Sequence, residues 1–176
     1  MRIWLAALVL AASAAARAAP APLSGPLAPA AEGKLQCFVP DMTRRTCQTL
    51  ASYARDASGG IQNTSTVAVS ADPLITMTTR APVILREDRV CSALRDEDIA
   101  QAAFTVAGKP ADARQTADLR THMAEAIKPL VGHEICTTYS QSGAAFVARS
   151  TLDGAPQADS EAFIWISPSD PWKVAP

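Results

Sequence analysis

Residues 112–131 read DARQTADLRTHMAEAIKPLV, and this stretch sets the expected fold. Leu119, Met123, Ile127, Leu130 and Val131 fall on one stripe at helical spacing. Arg114, Asp118, Arg120 and Glu125 occupy the other side. Pro129 removes the backbone bond to Glu125 and shortens the last turn, and Gly132 is a natural stop. Three strands are expected next. Glu134–Ser140 and Ala144–Thr151 flank the turn Gln141-Ser142-Gly143, and Ala162–Ser167 is the most apolar. A helix with an apolar stripe needs an apolar surface to cover, and these strands supply one. The expected class is therefore α+β, an antiparallel sheet packed on a long helix and stapled by disulfides.

This order of elements over Ala102–Pro176 is similar to that of cystatin-like and NTF2-like folds. The resemblance implies a curved sheet wrapped around the helix. Upstream, Leu35–Val39 is a short strand, and Pro40-Asp41 opens a helix over Met42–Ala57 with Asp41 as N-cap. Leu50, Ala54 and Ala57 carry its periodicity, and Gly59-Gly60 ends it. Thr66–Ser70, Leu74–Arg80, Val83–Leu85 and Arg89–Cys91 read as strands, with a turn at Asp72-Pro73. Asp96–Ala100 is one helical turn and Ala103–Val106 a strand closed by Gly108-Lys109-Pro110. The tail Pro171–Pro176 is expected on the sheet edge.

The start of the chain sets the compartment. Arg2, the apolar run Ile3–Ala12 and the small residues of Ala16-Arg17-Ala18 make residues 1–18 a cleaved secretory signal. The apolar run is too short for a transmembrane anchor, and Cys37 comes too late for a lipid-anchored cysteine. Residues 19–33, APAPLSGPLAPAAEG, alternate Ala and Pro and read as an extended, flexible spacer. Residues 34–176 then form a single α+β domain, long enough to bury a core. Taking Arg2 and Arg17 away with the leader leaves 14 basic residues against 17 acidic, a balance of −3. Such a balance excludes the basic footprint of a nucleic-acid binder. The expected location is periplasmic or extracellular, with a bacterial envelope fitting the leader.

Cys37, Cys47, Cys91 and Cys136 are the four cysteines. Four allow three pairings, of which Cys37–Cys47 with Cys91–Cys136 is favoured. In the chain-entropy model the longer loop contributes about 4 kcal/mol and the shorter about 3. No Cys-x-x-Cys pair suits redox chemistry. His133, Glu134 and Cys136 lie close in sequence, but zinc wants a second close pair. No metal and no cofactor is expected.

Catalytic signatures are absent: no Gly-x-Ser-x-Gly, Ser-x-x-Lys, His-Glu-x-x-His or Gly-rich phosphate loop occurs. His122 and Glu125 sit one helical turn apart and, with His133, are the candidate ligand or acid/base groups. A solvated helix-surface histidine is the plainer reading of His122. Asp96-Glu97-Asp98 reads as an acidic first turn and not as a calcium loop. Asn63-Thr64-Ser65 matches a glycosylation acceptor. Arg86, Glu87, Asp88 and Arg89 read as a solvated tip. Trp165 belongs to the core or the inner sheet face, and Trp172 is either an edge cover or a partner anchor. The leading expectation is a non-enzymatic exported domain that binds an unknown protein or envelope component. A small-ligand carrier or enzyme with a pocket between helix and sheet is the alternative, and an inhibitor of a secreted enzyme the third. Sequence alone leaves the oligomeric state open.

Overall fold

The computed structural model describes residues 21–176; the expected leader lies outside them. After a 3-10 turn at Gly25–Leu27 and a short helix α1 (Ala28–Ala31), five strands follow in sequence. They are β1 (Leu35–Asp41), β2 (Thr46–Arg55), β3 (Ile61–Ala71), β4 (Leu74–Arg86) and β5 (Arg89–Ala93), each antiparallel to the one before. Residues 94–133 are an insertion holding α2 (Asp96–Ala100), β6 (Ala103–Val106), β7 (Lys109–Pro110) and α3 (Ala113–Ile127). The meander resumes with β8 (Glu134–Ser142) on β5, then β9 (Ala145–Leu152) and β10 (Ala155–Ile166). β10 returns to β1, pairing Leu35 with Ile166 and Phe38 with Phe163. Eight strands thus close into an antiparallel barrel. A last short strand, β11 (Lys173–Val174), runs parallel to the start of β2.

The alternation along each strand sorts side chains to the two faces of this wall. Inside, Ile61, Val83, Val90, Tyr53, Leu85, Tyr139 and Trp165 meet Leu23, Leu27 and Ala30 of the N-terminal segment. That segment is a plug across one end of the barrel. Arg55 holds it, donating to the carbonyl oxygen of Ala21. Outside, Trp172 and the tail cover the Cys37–Cys47 disulfide together with Leu35, Leu50, Ile164 and Ile166. A third cluster joins Met77 and Phe104 to Ile99 and Ala102, with Leu119, Met123 and Ile127 of α3 packed against it.

These observations correct several expectations. The long helix does not underlie the last three strands. Its apolar stripe covers α2, β6 and the start of β4, none of its residues is buried, and β8–β10 are wall strands of the barrel. The cystatin-like and NTF2-like arrangement is therefore replaced by a closed, strand-dominated barrel. Met42–Ala57 is not a helix but the β1–β2 turn followed by β2. A spacing of four, as in Leu50 and Ala54, keeps residues on one face of a strand as well as of a helix, and Thr46, Thr49 and Tyr53 favour the strand. Within the expected spacer, Gly25–Leu27 and Ala28–Ala31 are helical turns and not extended. Pro29 stands in the first turn of α1, where its missing N–H costs nothing, and the leucines bury. Within the insertion the expected helix forms. Asp112 caps it through the backbone N–H of Gln115, and Pro129 ends it in a 3-10 turn, Lys128–Leu130.

Both favoured disulfides are present. Cys37–Cys47 joins β1 to β2, where a strand-to-helix tie was expected, and Cys91–Cys136 joins directly opposed residues of β5 and β8. Two disulfides fit an oxidising compartment. No described helix is long and apolar enough to cross a membrane. The outer wall carries Ser52, Gln62, Thr64, Arg80 and Arg149, where a lipid-embedded barrel presents an apolar band.

Leu27 is fully buried in the plug, so Leu27→Ala removes a side chain that cannot be replaced by collapse of the rigid wall. The expected loss is about 2–4 kcal/mol in urea unfolding. Leu130→Ala, at a residue 38% exposed, is expected to cost under about 1 kcal/mol. Equal effects at the two positions would contradict the plug.

Candidate functional site

One face of β10 orders the barrel interior. From the open end inward, its lining residues read Gln157, Asp159, Glu161, Phe163 and Trp165, with a register shift against β9 between Pro156 and Ser160. The first three are exposed, and Phe163 is fully buried. Its ring lies 5.1 Å from Phe38, 4.9 Å from Tyr139, 5.2 Å from Phe146 and 6.0 Å from Trp165, centre to centre. Tilted, stacked and edge-on contacts of this kind each stabilise by about 0.5–1.5 kcal/mol beyond their buried area. Together they make an aromatic deck across the barrel, with the plugged hydrophobic half on the Trp165 side.

A buried polar group is set into this deck. Gln36 on β1 has no exposed surface. Its Oε1 accepts from the Tyr53 hydroxyl at 2.9 Å, and the Tyr53 and Tyr139 hydroxyls stand 3.4 Å apart. The Gln36 Nε2 has no partner, an arrangement that is costly in a dry interior. Withdrawal from water pushes the Tyr53 phenol well above its ordinary range, and the adjacent Tyr139 adds to the shift. Burial also raises Tyr139.

On the other side of the deck the barrel is hollow. One space of about 240 Å³ is walled by residues of six strands, among them Phe38, Ala51, Tyr53, Ser65, Tyr139 and Glu161. A second, of about 340 Å³, shares Ala148, Ser150 and Glu161 with the first and extends to Leu130, Ile135, Leu152 and Asp159. Thr49, Ser65, Thr137 and Ser150 place small hydroxyls in these walls. Access follows from the pairing. β1 contacts β10 only as far as Phe38 opposite Phe163, while β10 runs on to Ala155 with β9 alone. The wall is therefore open on the β1 side, beside Glu161.

The lining holds no histidine, cysteine or lysine. It can enclose an apolar body and meet it with hydroxyls and carboxylates.

The candidates from sequence lie elsewhere. His122 is exposed on α3, its Nδ1 2.9 Å from the Asp118 carbonyl oxygen. Glu125 is exposed and 3.9 Å from Lys128. His133 contacts Asp153 at 2.5 Å, and Asp153 also accepts from the backbone N–H of Glu134, tying the β9–β10 turn to β8. The hydrogen bond from His133 is the main cause that holds the Asp153 carboxyl below its usual range. The structure does not bring His122, Glu125 and His133 together, and none lines either hollow. Trp172 is half-buried over the Cys37–Cys47 disulfide. Cys91, Glu134 and Cys136 have ligand atoms within 4.8 Å of each other, but both sulfurs are spent in the disulfide.

Comparison with protein-family models, curated proteins and solved structures finds no match. The site is accordingly read from its own chemistry. Residues 155–161 were the part missed in sequence, where the strand was expected to begin at Ala162. The available signal was the alternation of Gln157, Asp159 and Glu161 with small residues, continuous with Phe163 and Trp165.

Tyr53 and Tyr139 are the only tyrosines of the chain, so phenolate absorbance reports on the deck alone. Raised pKa values mean that the folded state holds these protons more tightly than the unfolded chain. The associated stability is complete below pH 10 and is lost as pH rises above it. The expected result is little phenolate in the folded protein at pH 11, then a step that coincides with loss of strand signal in circular dichroism. Two ordinary titrations centred near pH 10 would contradict the buried pair.

Proposed function

We propose that this protein is an exported, non-enzymatic carrier of a small organic molecule, held in the open half of the barrel. The observation that carries the reading is the pair of contiguous hollows walled by facing strands. An eight-stranded barrel is just narrow enough for side chains to fill, or just wide enough for one small ligand. Here the plug half is filled by leucine, isoleucine, valine and aromatic rings. The open half carries Ala51, Ser65, Thr137, Ala148 and Ser150 at wall positions where larger residues would meet across the space. Leaving such a space forfeits packing contacts that a ligand would restore. Its volume falls near the lower end of small-molecule sites.

Export is supported by the leader read over residues 1–18 and by two disulfides among the described residues. Binding of an envelope protein is the second reading. It has in its favour the apolar outer groove of Pro82, Ile84 and Ala93, where Ile84 is half exposed.

A neutral apolar fluorophore, N-phenyl-1-naphthylamine, tests the carrier reading. Added to the oxidised mature chain, it is expected to brighten saturably. Ser150→Phe, which fills the shared wall, is expected to weaken binding by about tenfold or more. Ile84→Ser, on the outer groove, is expected to leave it unchanged. Absence of saturable binding to the folded protein contradicts the carrier reading, as does equal binding by Ser150→Phe with an unaltered melting temperature.

A further inference from the structure

The charge pattern around the hollows narrows the class of ligand, an inference that rests on the carrier reading above. Asp159 and Glu161 are the charged residues of the lining, and both are acidic. They stand two apart on β10 ahead of Phe163 and line the same hollow, Asp159 within the stretch where the register of β10 against β9 shifts. Among the described residues neither has an ion-pair partner within 4 Å. The arginine nearest in register, Arg149, is paired with Ser160 and donates to Ser140 on the other face of the wall. A carboxylate left without a counterion at the rim of a low-dielectric space attracts a cation and repels an anion more strongly than it would on an open surface.

Beyond the carboxylates the lining changes character. Phe38 and Tyr139 supply aromatic faces, and Ala51, Ala148, Ile135 and Leu152 supply apolar wall. Aromatic faces favour a planar or cationic guest. Below the deck, opposite Trp165, Gln36 is fully buried and lines neither hollow. Its Oε1 is hydrogen-bonded to Tyr53, whose side chain lines the hollow.

From this order of acid and aromatic wall within one space, we infer that the barrel takes an amine. The ammonium group sits between Asp159 and Glu161. A flat apolar body lies against Phe38 and Tyr139. Ammonium–carboxylate hydrogen bonds are charge-assisted and set orientation as well as affinity. The same rim disfavours fatty acids and other carboxylate ligands, which would meet two like charges.

Three probes that differ chiefly in charge test the inference: tyramine, 4-ethylphenol and 3-(4-hydroxyphenyl)propionate. They are titrated calorimetrically into the oxidised mature chain at pH 7, alongside N-phenyl-1-naphthylamine. Tyramine is expected to bind tightest, by about tenfold or more over the carboxylate, with the neutral phenol between. The preference is expected to shrink as salt rises. In the Asp159→Asn/Glu161→Gln double variant the three affinities are expected to converge. Glu87→Gln, an exposed acid at the β4–β5 turn, is expected to preserve the order and so controls for net charge. Naphthylamine binding without discrimination among the three phenols overturns the amine assignment and leaves the carrier reading standing. A carboxylate preference, or a cation preference that survives in the double variant, overturns it too. If no probe saturates, the carrier reading itself fails.

Discussion

Backbone hydrogen bonds between β1 and β10 join the first and last wall strands, and the barrel exists only while that seam holds. An open eight-stranded meander would expose two sheet edges and the whole inner face. Closure turns the inner face into a space with a floor, a deck and a mouth. The seam is short, running from Leu35 opposite Ile166 to Phe38 opposite Phe163. Neither disulfide crosses it. Cys37–Cys47 ties β1 to its own neighbour, and Cys91–Cys136 ties the two halves of the wall across the insertion. With a sequence separation of 45, the second bond restricts the unfolded chain by about 4 kcal/mol in the loop-entropy model. The seam relies instead on strand pairing and on the contact of Phe38 with Phe163 directly across it.

The two halves of the interior are built from different side chains for a physical reason. A closed end must exclude water, and the plug does so with Leu23 and Leu27 against Ile61, Val83 and Val90. An open end must tolerate water, and small hydroxyls with two carboxylates do that at little cost. The aromatic deck is the boundary. Its packed rings cover the Gln36–Tyr53 hydrogen bond beneath. The short seam matters here as well. Where β10 parts from β1 the wall opens, and the acidic stretch of β10 lines the gap.

Much of this was legible in the amino-acid order, and the failures have definite causes. The disulfide pairing, the α3 helix with its Asp112 cap and Pro129 end, and most strand positions follow from local patterns. The β2 strand was obscured because Leu50 and Ala54 satisfy both periods. The plug was obscured because prolines argue against long helices yet suit the first turn of a short one, and Leu23 and Leu27 carry no local sign of where they bury. The barrel itself was hidden by an assumption about contact order. The long helix was assigned to the strands that follow it, whereas those strands pair with β5 and β1, far away in sequence. Nothing local in Phe163 announces that its partner is Phe38. The carboxylates at positions 159 and 161 became visible as a pair only when β10 was known to begin at Ala155.

The closure of the wall is tested most directly by nuclear magnetic resonance of the oxidised mature chain, through cross-strand backbone NOEs at the seam. The account predicts contacts linking Gln36 with Trp165 and Phe38 with Phe163. It also predicts aromatic contacts from Phe163 to Tyr139 and Phe146. Absence of the β1–β10 contacts, with Phe163 or Trp165 instead touching Leu119 and Met123 of α3, would contradict the barrel and restore a helix packed on an open sheet.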